Sequence, residues 1–330
     1  MISYHDIKHI HLEISSLCNA RCPLCPRNFH GYPYNDGYVE RNLTLEDVKK
    51  IFEPNFVKQL TGMLINGNFG DCVMNTETPD IIEYFKTHSP NIKIDISTNG
   101  GARSKQFWQR LAKLDVRVLF ALDGLADTHS IYRQDTVYET VLRNAQTFIK
   151  AGGSAVWKMI PFDHNRHQID DCQTLSKNLG FSNFMLTDQG RDTGVAVDKK
   201  GKVVNVIGTP KVINFDRLLE SKKTDEVLLE DLNPVVKNIT CEVKKSKSIY
   251  VTSTGEVYPC CYTGFYPRTY GHGQYYQVVN QQLKDIIEPN NALETSLKES
   301  ITWFNSVEES WSNKDFNNGR LVVCNDVCGS

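Results

Sequence analysis

"KHIHLEISSLCNARCPLC", residues 8–25, joins two patterns on which the reading of the whole chain turns. In its first half Ile10, Leu12 and Ile14 alternate with His9, His11 and Glu13, and a period of two predicts a β-strand. Its second half carries Cys18, Cys22 and Cys25 in the spacing CxxxCxxC. A strand that runs straight into a cysteine loop sets the thiols at the carboxyl end of a strand, where α/β sheets hold their active sites. Three thiolates leave a metal centre one protein ligand short, and an open position is where an exogenous ligand binds. Thiolate-only ligation suits zinc or an iron–sulfur cluster. Structural zinc pairs one CxxC unit with another, and no fourth ligand stands near residues 18–25.

Outward from this stretch, short apolar strands alternate with amphipathic helices. Strands are predicted at 8–14, 62–66, 91–97, 116–122, 155–160 and 182–187. One helix starts at Thr44, where Thr44 and Asp47 read as a capping box. Others cover 78–88, with Pro79 in the first turn, 104–114, 136–153 and 165–180. In the fourth of these, Thr136 and Glu139 read as a second capping box, and Gly152–Gly153 end the helix. Six β/α repeats predict an α/β fold, a partial (β/α)6 TIM-like barrel over residues 1–190, since eight repeats would be needed to close one. Residues 191–240 are charged and irregular and read as a connector with a hairpin near Lys200–Gly201. Residues 241–330 read as a smaller α+β unit, with a hairpin turning at "STGE" (253–256) and helix within 281–306.

Hydrophobic residues make up 40% of the 330, charged residues 23%, and the net charge is −2, so no nucleic-acid footprint is visible. No run of about 18 apolar residues exists, which excludes a membrane-spanning helix. The first residues lack a basic segment followed by an apolar one, so a cytoplasmic location is expected. The ten cysteines are then ligands or inert thiols rather than disulfides. Cys72 and Cys172 stand alone and are expected in the core. His9 and His11 read as strand residues rather than ligands.

"CNARCPLC" (18–25) resembles the CxxxCxxC loop of the radical S-adenosylmethionine (SAM) superfamily. The resemblance implies a 4Fe–4S cluster held by Cys18, Cys22 and Cys25, with SAM chelating the fourth iron. It also implies reductive cleavage of SAM to a 5′-deoxyadenosyl radical that abstracts hydrogen from substrate. Further segments follow the family in order. "NGNFGD" (66–71) stands where the family carries its glycine-rich contact to the SAM amino group, which implies Gly67 and Asn68, although the usual Gly-Gly-Glu is absent. "STNG" (97–100) resembles the ribose-contacting motif, with Ser97 and Asn99. "ALDGLADTHSIYR" (121–133) implies Asp123 and Arg133 near the cofactor, the guanidinium forking onto the SAM carboxylate. Leu24 replaces a frequent aromatic residue and implies packing on adenine.

At the other end, Cys241 and Cys260 frame a C-x13-G-x4-C pattern through Gly255. It resembles the opening of the SPASM and twitch auxiliary-cluster domains. With Cys324 and Cys328 these make four implied ligands to a second 4Fe–4S cluster, whose role would be to accept an electron from the substrate radical. Cys261 is a spare that could replace Cys260 or face substrate. The implied protein is a radical SAM oxidoreductase acting on a peptide side chain or a sugar or cyclitol alcohol, with a reducing partner such as flavodoxin or ferredoxin. Alternatives are a non-catalytic iron–sulfur electron carrier, an enzyme that binds substrate at an open auxiliary iron as the molybdenum-cofactor cyclase does, and a structural zinc site built by the C-terminal cysteines. The early first strand leaves no room before it for a peptide-recognition domain. No general base is assigned; Asp123, Lys158 and Arg191 are polar residues at strand ends or on loops.

Overall fold

The structure is a computed structural model that describes residues 1–330 except 26, 29–30, 32–38, 188–193, 208–234, 266–273 and 289. Six strands, β1 (His9–Leu12), β2 (Gly62–Ile65), β3 (Lys93–Thr98), β4 (Arg117–Ala121), β5 (Ser154–Met159) and β6 (Asn183–Leu186), pair in chain order, each pair parallel. All six overlap the stretches expected from sequence, with β3 and β5 each extending one residue beyond them. Parallel strands covered on a face by helices read as apolar runs, and "RVLFA" of β4 is buried after its first residue. The helix Tyr138–Lys150 turns Val141, Ala145 and Phe148 inward. Phe148 meets Phe120 of β4, which packs on Trp108 at 5.2 Å.

Two further strands extend the sheet. β9 (Ser248–Val251) runs parallel beside β1, and β10 (Val257–Tyr258) folds back antiparallel on β9. The order is β10-β9-β1-β2-β3-β4-β5-β6, open at both edges: a mostly parallel α/β sheet of partial-barrel type. The C-terminal hairpin turns at Gly255, whose φ of +92° suits glycine. It is therefore a neighbour of the first strand. Between the two regions, β7 (Gly194–Val197) and β8 (Val203–Ile207) form the hairpin expected near Lys200–Gly201. Beyond residue 273 the sequence predicted helix only within 281–306. The structure has helices Gln274–Lys284, Leu297–Ser300, Phe304–Ser310 and Val322–Cys328.

Thr44 and Asp47 form their capping box. Thr136 and Glu139 do not. The helix begins at Tyr138 with Val137 as a cap that offers no side chain. The Thr136 hydroxyl is engaged elsewhere, donating to the Arg133 carbonyl at 2.7 Å and meeting His129 Nε2 at 3.0 Å. Nearby tertiary partners outcompete the local cap, and the result shapes the turn that carries Arg133. Cys72 and Cys172 are buried. No helix among the described residues is long and apolar enough to cross a membrane.

Candidate active site

The carboxyl ends of β1 to β5 surround a cavity of about 190 Å³. Cys18, Cys22 and Cys25 line it from the loop after β1, where the amides of Cys25 and Asn28 donate to Cys22 and Cys25 carbonyls at 3.0 and 2.9 Å in successive tight turns. Arg21 anchors this loop: its Nε donates to Asp135 at 2.7 Å. Burial pushes the Cys18 thiol up, and nearby Asp71 and Cys22 push it further. A thiol so placed gives up its proton when a metal cation arrives to balance the charge.

The loop after β2 forms the opposite wall. A Cβ on Gly70 would lie 1.9 Å from the Ser15 carbonyl oxygen, and one on Gly67 would lie 2.6 Å from Glu13 Oε1, so this backbone closes on β1 because those side chains are absent. Glu13 holds it there. Its buried carboxylate accepts from the amides of Phe69 and Gly70 at 2.8 and 3.1 Å and from the Tyr250 hydroxyl of β9 at 2.9 Å. Asn68 Nδ2 donates to the Cys261 carbonyl at 2.8 Å. Beside it His11 meets the Asn66 carbonyl at 2.7 Å, and burial depresses its pKa to about 4.

Asp71 ends the loop. It accepts from the Asn99 amide and the Thr98 hydroxyl, each at 2.6 Å. Burial raises its pKa against those hydrogen bonds. Asn99 in turn donates through Nδ2 to Cys18 Sγ at 3.6 Å and Asn19 Oδ1 at 3.0 Å. Arg133 Nε donates to Asp123 Oδ2 at 2.6 Å, and its Nη1 reaches Cys22 Sγ at 3.7 Å. Burial opposes its charge, but Asp123 and Cys22 outweigh burial and hold the guanidinium pKa well above its usual value. His129 lies behind. The Asp123 amide donates to His129 Nδ1 at 3.3 Å, which leaves Nε2–H for Thr136, and burial depresses the ring's pKa to about 4.

Gly67, Asn68, Ser97, Asn99 and Arg133 thus come together with the three thiols on one cavity. Asp123 does not line it; fully buried, it accepts from the Ile160 amide at 2.7 Å and backs Arg133. Leu24 packs instead in a small cluster with Tyr132, Ile160 and Phe162. Lys158 lines the cavity. Arg191 lies outside the described residues. Sequence reasoning missed Glu13 and Asp71. Their signal was position: both follow strand ends on the side that carries the cysteine loop.

The C-terminal cysteines are gathered by three devices. The helix Val322–Cys328 places Cys324 and Cys328 four residues apart on one face. A backbone bridge pairs Ile239 with Gly329, and the Thr240 amide donates to the Cys328 carbonyl at 2.9 Å, which brings Cys241 alongside. Thr263 ties down Cys260, donating to its carbonyl at 2.9 Å. Burial raises the thiol pKa values of Cys241, Cys260 and Cys324, and the neighbouring cysteines lie close enough to push each of the three further up. The buried indole nitrogen of Trp311 makes no full hydrogen bond, yet it lies against Cys324 and favours its thiolate. Cys261 packs against the main core, and burial pushes its thiol up to about 12. Among the described residues no group of three or more His, Cys, Asp or Glu is arranged to hold a single metal ion.

Residues 12–171 match the Radical SAM superfamily. No curated protein sequence matches the chain. Among solved structures the chain is similar to Streptococcus suis SuiB, at TM-score 0.54 and 13% identity over 89% of this chain and 66% of that one. It is similar to SuiB bound to precursor peptide SuiA, at TM-score 0.54 and 13% identity over 97% of this chain and 77% of that one. A third similar structure is native anSMEcpe with bound AdoMet and Cp18Cys peptide, at TM-score 0.52 and 15% identity over 94% of this chain and 87% of that one. The chain spans just under two thirds of the first SuiB chain. At such identities the likeness is one of fold.

Proposed function

From the match of residues 12–171 to the Radical SAM superfamily we propose that the chain is a radical SAM oxidoreductase with an open cluster at residues 18–25, an auxiliary cluster in residues 241–330, and a peptide as substrate. The superfamily implies a 4Fe–4S cluster and SAM. The residues suit them: three thiols on one cavity, amide and carboxylate groups around it, and a glycine loop that packs closely on β1 because it carries no Cβ there. When bound, this pair of groups supplies reductive SAM cleavage and the carbon radical that takes hydrogen from substrate.

Cys18, Cys22 and Cys25 hold three irons. Arg133, kept cationic by Asp123, meets the SAM carboxylate. Gly67 and Asn68 receive the SAM amino group, and Ser97 and Asn99 contact the ribose. Asn99 also donates toward Cys18, and hydrogen bonds to ligand sulfur tune reduction potential. Cys241, Cys260, Cys324 and Cys328 hold the auxiliary cluster, closed to substrate, with Trp311 donating toward its sulfur. Peptide is favoured as the substrate class because SuiB and anSMEcpe have each been solved with a peptide bound.

The cavity shared by three thiols and Arg133 carries this reading. Anaerobic reconstitution with iron and sulfide, then dithionite and SAM, tests it. The expected product is 5′-deoxyadenosine, from protein holding about eight irons per chain. Intact SAM would make the chain an electron carrier, and about four irons plus zinc would remove the redox role of the second site.

A further inference from the structure

Outside the barrel, helices Lys105–Ala112 and Tyr138–Lys150 enclose a second groove of about 570 Å³. Arg103, Lys105, Arg143 and Lys150 line it, and no carboxylate does. None of the four forms an ion pair among the described residues, whereas Arg110 on the same helix as Lys105 pairs with both Asp80 and Glu83. In a chain of net charge −2 this is a local concentration of unpaired positive charge. Lys105, Arg143 and Lys150 are exposed. Unpaired cations around a cleft attract an acidic surface and speed its arrival.

The groove also adjoins the cysteine loop. Asn144 in its wall donates through Nδ2 to the Gly100 carbonyl at 2.8 Å and the Ala102 carbonyl at 3.1 Å. The same turn begins with Asn99, whose side chain reaches Cys18 Sγ at 3.6 Å. A Cβ on Gly101 would lie 3.0 Å from Asn19 of the cysteine loop. One short turn, residues 99–103, thus separates the groove from a proposed cluster ligand.

We propose that this basic groove docks an acidic electron-carrier protein that delivers the electron consumed in each SAM cleavage. The proposal rests on the reading that residues 18–25 hold a redox cluster. The carrier is oxidised by one electron and that cluster is reduced by one; no bond forms between the two proteins. Electron-transfer encounters of this kind use small, wet, weak interfaces, which a charged groove suits.

The test compares wild type with the triple variant Lys105→Glu, Arg143→Glu, Lys150→Glu, both reconstituted. Each is driven by dithionite and, separately, by flavodoxin kept reduced with its reductase and NADPH. Equal 5′-deoxyadenosine from dithionite is expected. With flavodoxin the variant should be slower by about 10-fold or more, and added salt should slow wild type far more than the variant. Equal flavodoxin-driven rates at low salt would overturn the docking surface and leave the function standing. So would RNA binding at the groove that leaves flavodoxin-driven rates unchanged. No product from wild type with dithionite would overturn the function itself.

Discussion

Cys18, Cys22 and Cys25 come from one loop of eight residues, whereas Cys241, Cys260, Cys324 and Cys328 are drawn from 88 residues of chain and meet only through a bridge, a helix and a threonine clamp. The first set faces a cavity lined by strand-end polar groups; the second sits against a tryptophan and the chain terminus. The difference is one of construction. A centre that needs an exogenous ligand is built from local sequence on a rigid strand end. The proposed auxiliary centre, with four protein ligands, would be assembled by tertiary structure, so its integrity would report on the fold of residues 241–330.

The sharpest way to break this comparison is to remove ligands from each set. Replacing Cys18, Cys22 and Cys25 by Ala should abolish 5′-deoxyadenosine formation. Replacing Cys324 and Cys328 by Ala should leave that product while lowering iron from about eight to about four per chain. Loss of SAM cleavage in the second variant would mean that the two sites are not separable.

Next in size is Arg133→Ala. It removes the guanidinium from the cavity and leaves Asp123 buried without its cation. Losing the pair with Asp123 lowers the stability of the fold, and losing a buried charge-assisted contact to the SAM carboxylate costs about 2–5 kcal/mol of binding, so SAM affinity should weaken by roughly 30-fold or more in equilibrium binding. Arg133→Lys keeps the charge without the fork and should fall between. An unchanged affinity would remove Arg133 from the cofactor site.

Acid should loosen both regions through buried rings. His11 lies against Tyr250 of β9, and His129 supports the Arg133 turn; each ionises near pH 4 when folded. Above the ordinary pKa of about 6.5 neither the folded nor the unfolded ring holds the extra proton, so neither contributes a slope. From pH 6.5 down to 4 the unfolded chain takes up protons that the folded chain refuses, and stability falls by about 1.4 kcal/mol per pH unit per ring. Urea midpoints at pH 7.5 and 5.5 should show the decline, and His11→Gln should make it shallower. A flat profile would mean that these rings are hydrated.

The smallest effect expected is that of Asn68→Ala. It leaves the Cys261 carbonyl without its side-chain donor at the seam between the regions, a loss of about 1–3 kcal/mol. A lowered thermal midpoint with nearly unchanged iron content would show that Asn68, besides lining the cavity, links the two cysteine regions.

The first region was legible in sequence because its signals are local. Period two in the first and third strands and short apolar runs in the other four mark the sheet, and CxxxCxxC stands directly after the first strand. What escaped depends on contacts between distant residues. Thr136 looks like a helix cap until His129 and the Arg133 carbonyl claim its hydroxyl. Leu24 reads from sequence as a packing residue for adenine, whereas the structure shows it half-buried against the cluster that holds Tyr132, Ile160 and Phe162. Asp123 lies one shell too deep to touch a ligand. No local pattern in "VVCNDVC" separates a helix end from a loose tail, since its fold is decided by the bridge from Ile239. The pairing of β9 with β1 is invisible for the same reason: a parallel partner more than two hundred positions away leaves no trace in either strand's composition.

That pairing orders events during synthesis. Tyr250 and Glu13 stand 237 positions apart. At the pace of translation, about 5–20 residues per second, the outer edge of β1 stays bare for at least about 12 seconds after it leaves the ribosome. A bare strand edge is a template for mispairing. Over that interval β2 guards only one flank, and the glycine wall of the cofactor cavity lacks its brace. The barrel must therefore wait for β9, and nascent chains halted before residue 248 should be the species most in need of a chaperone.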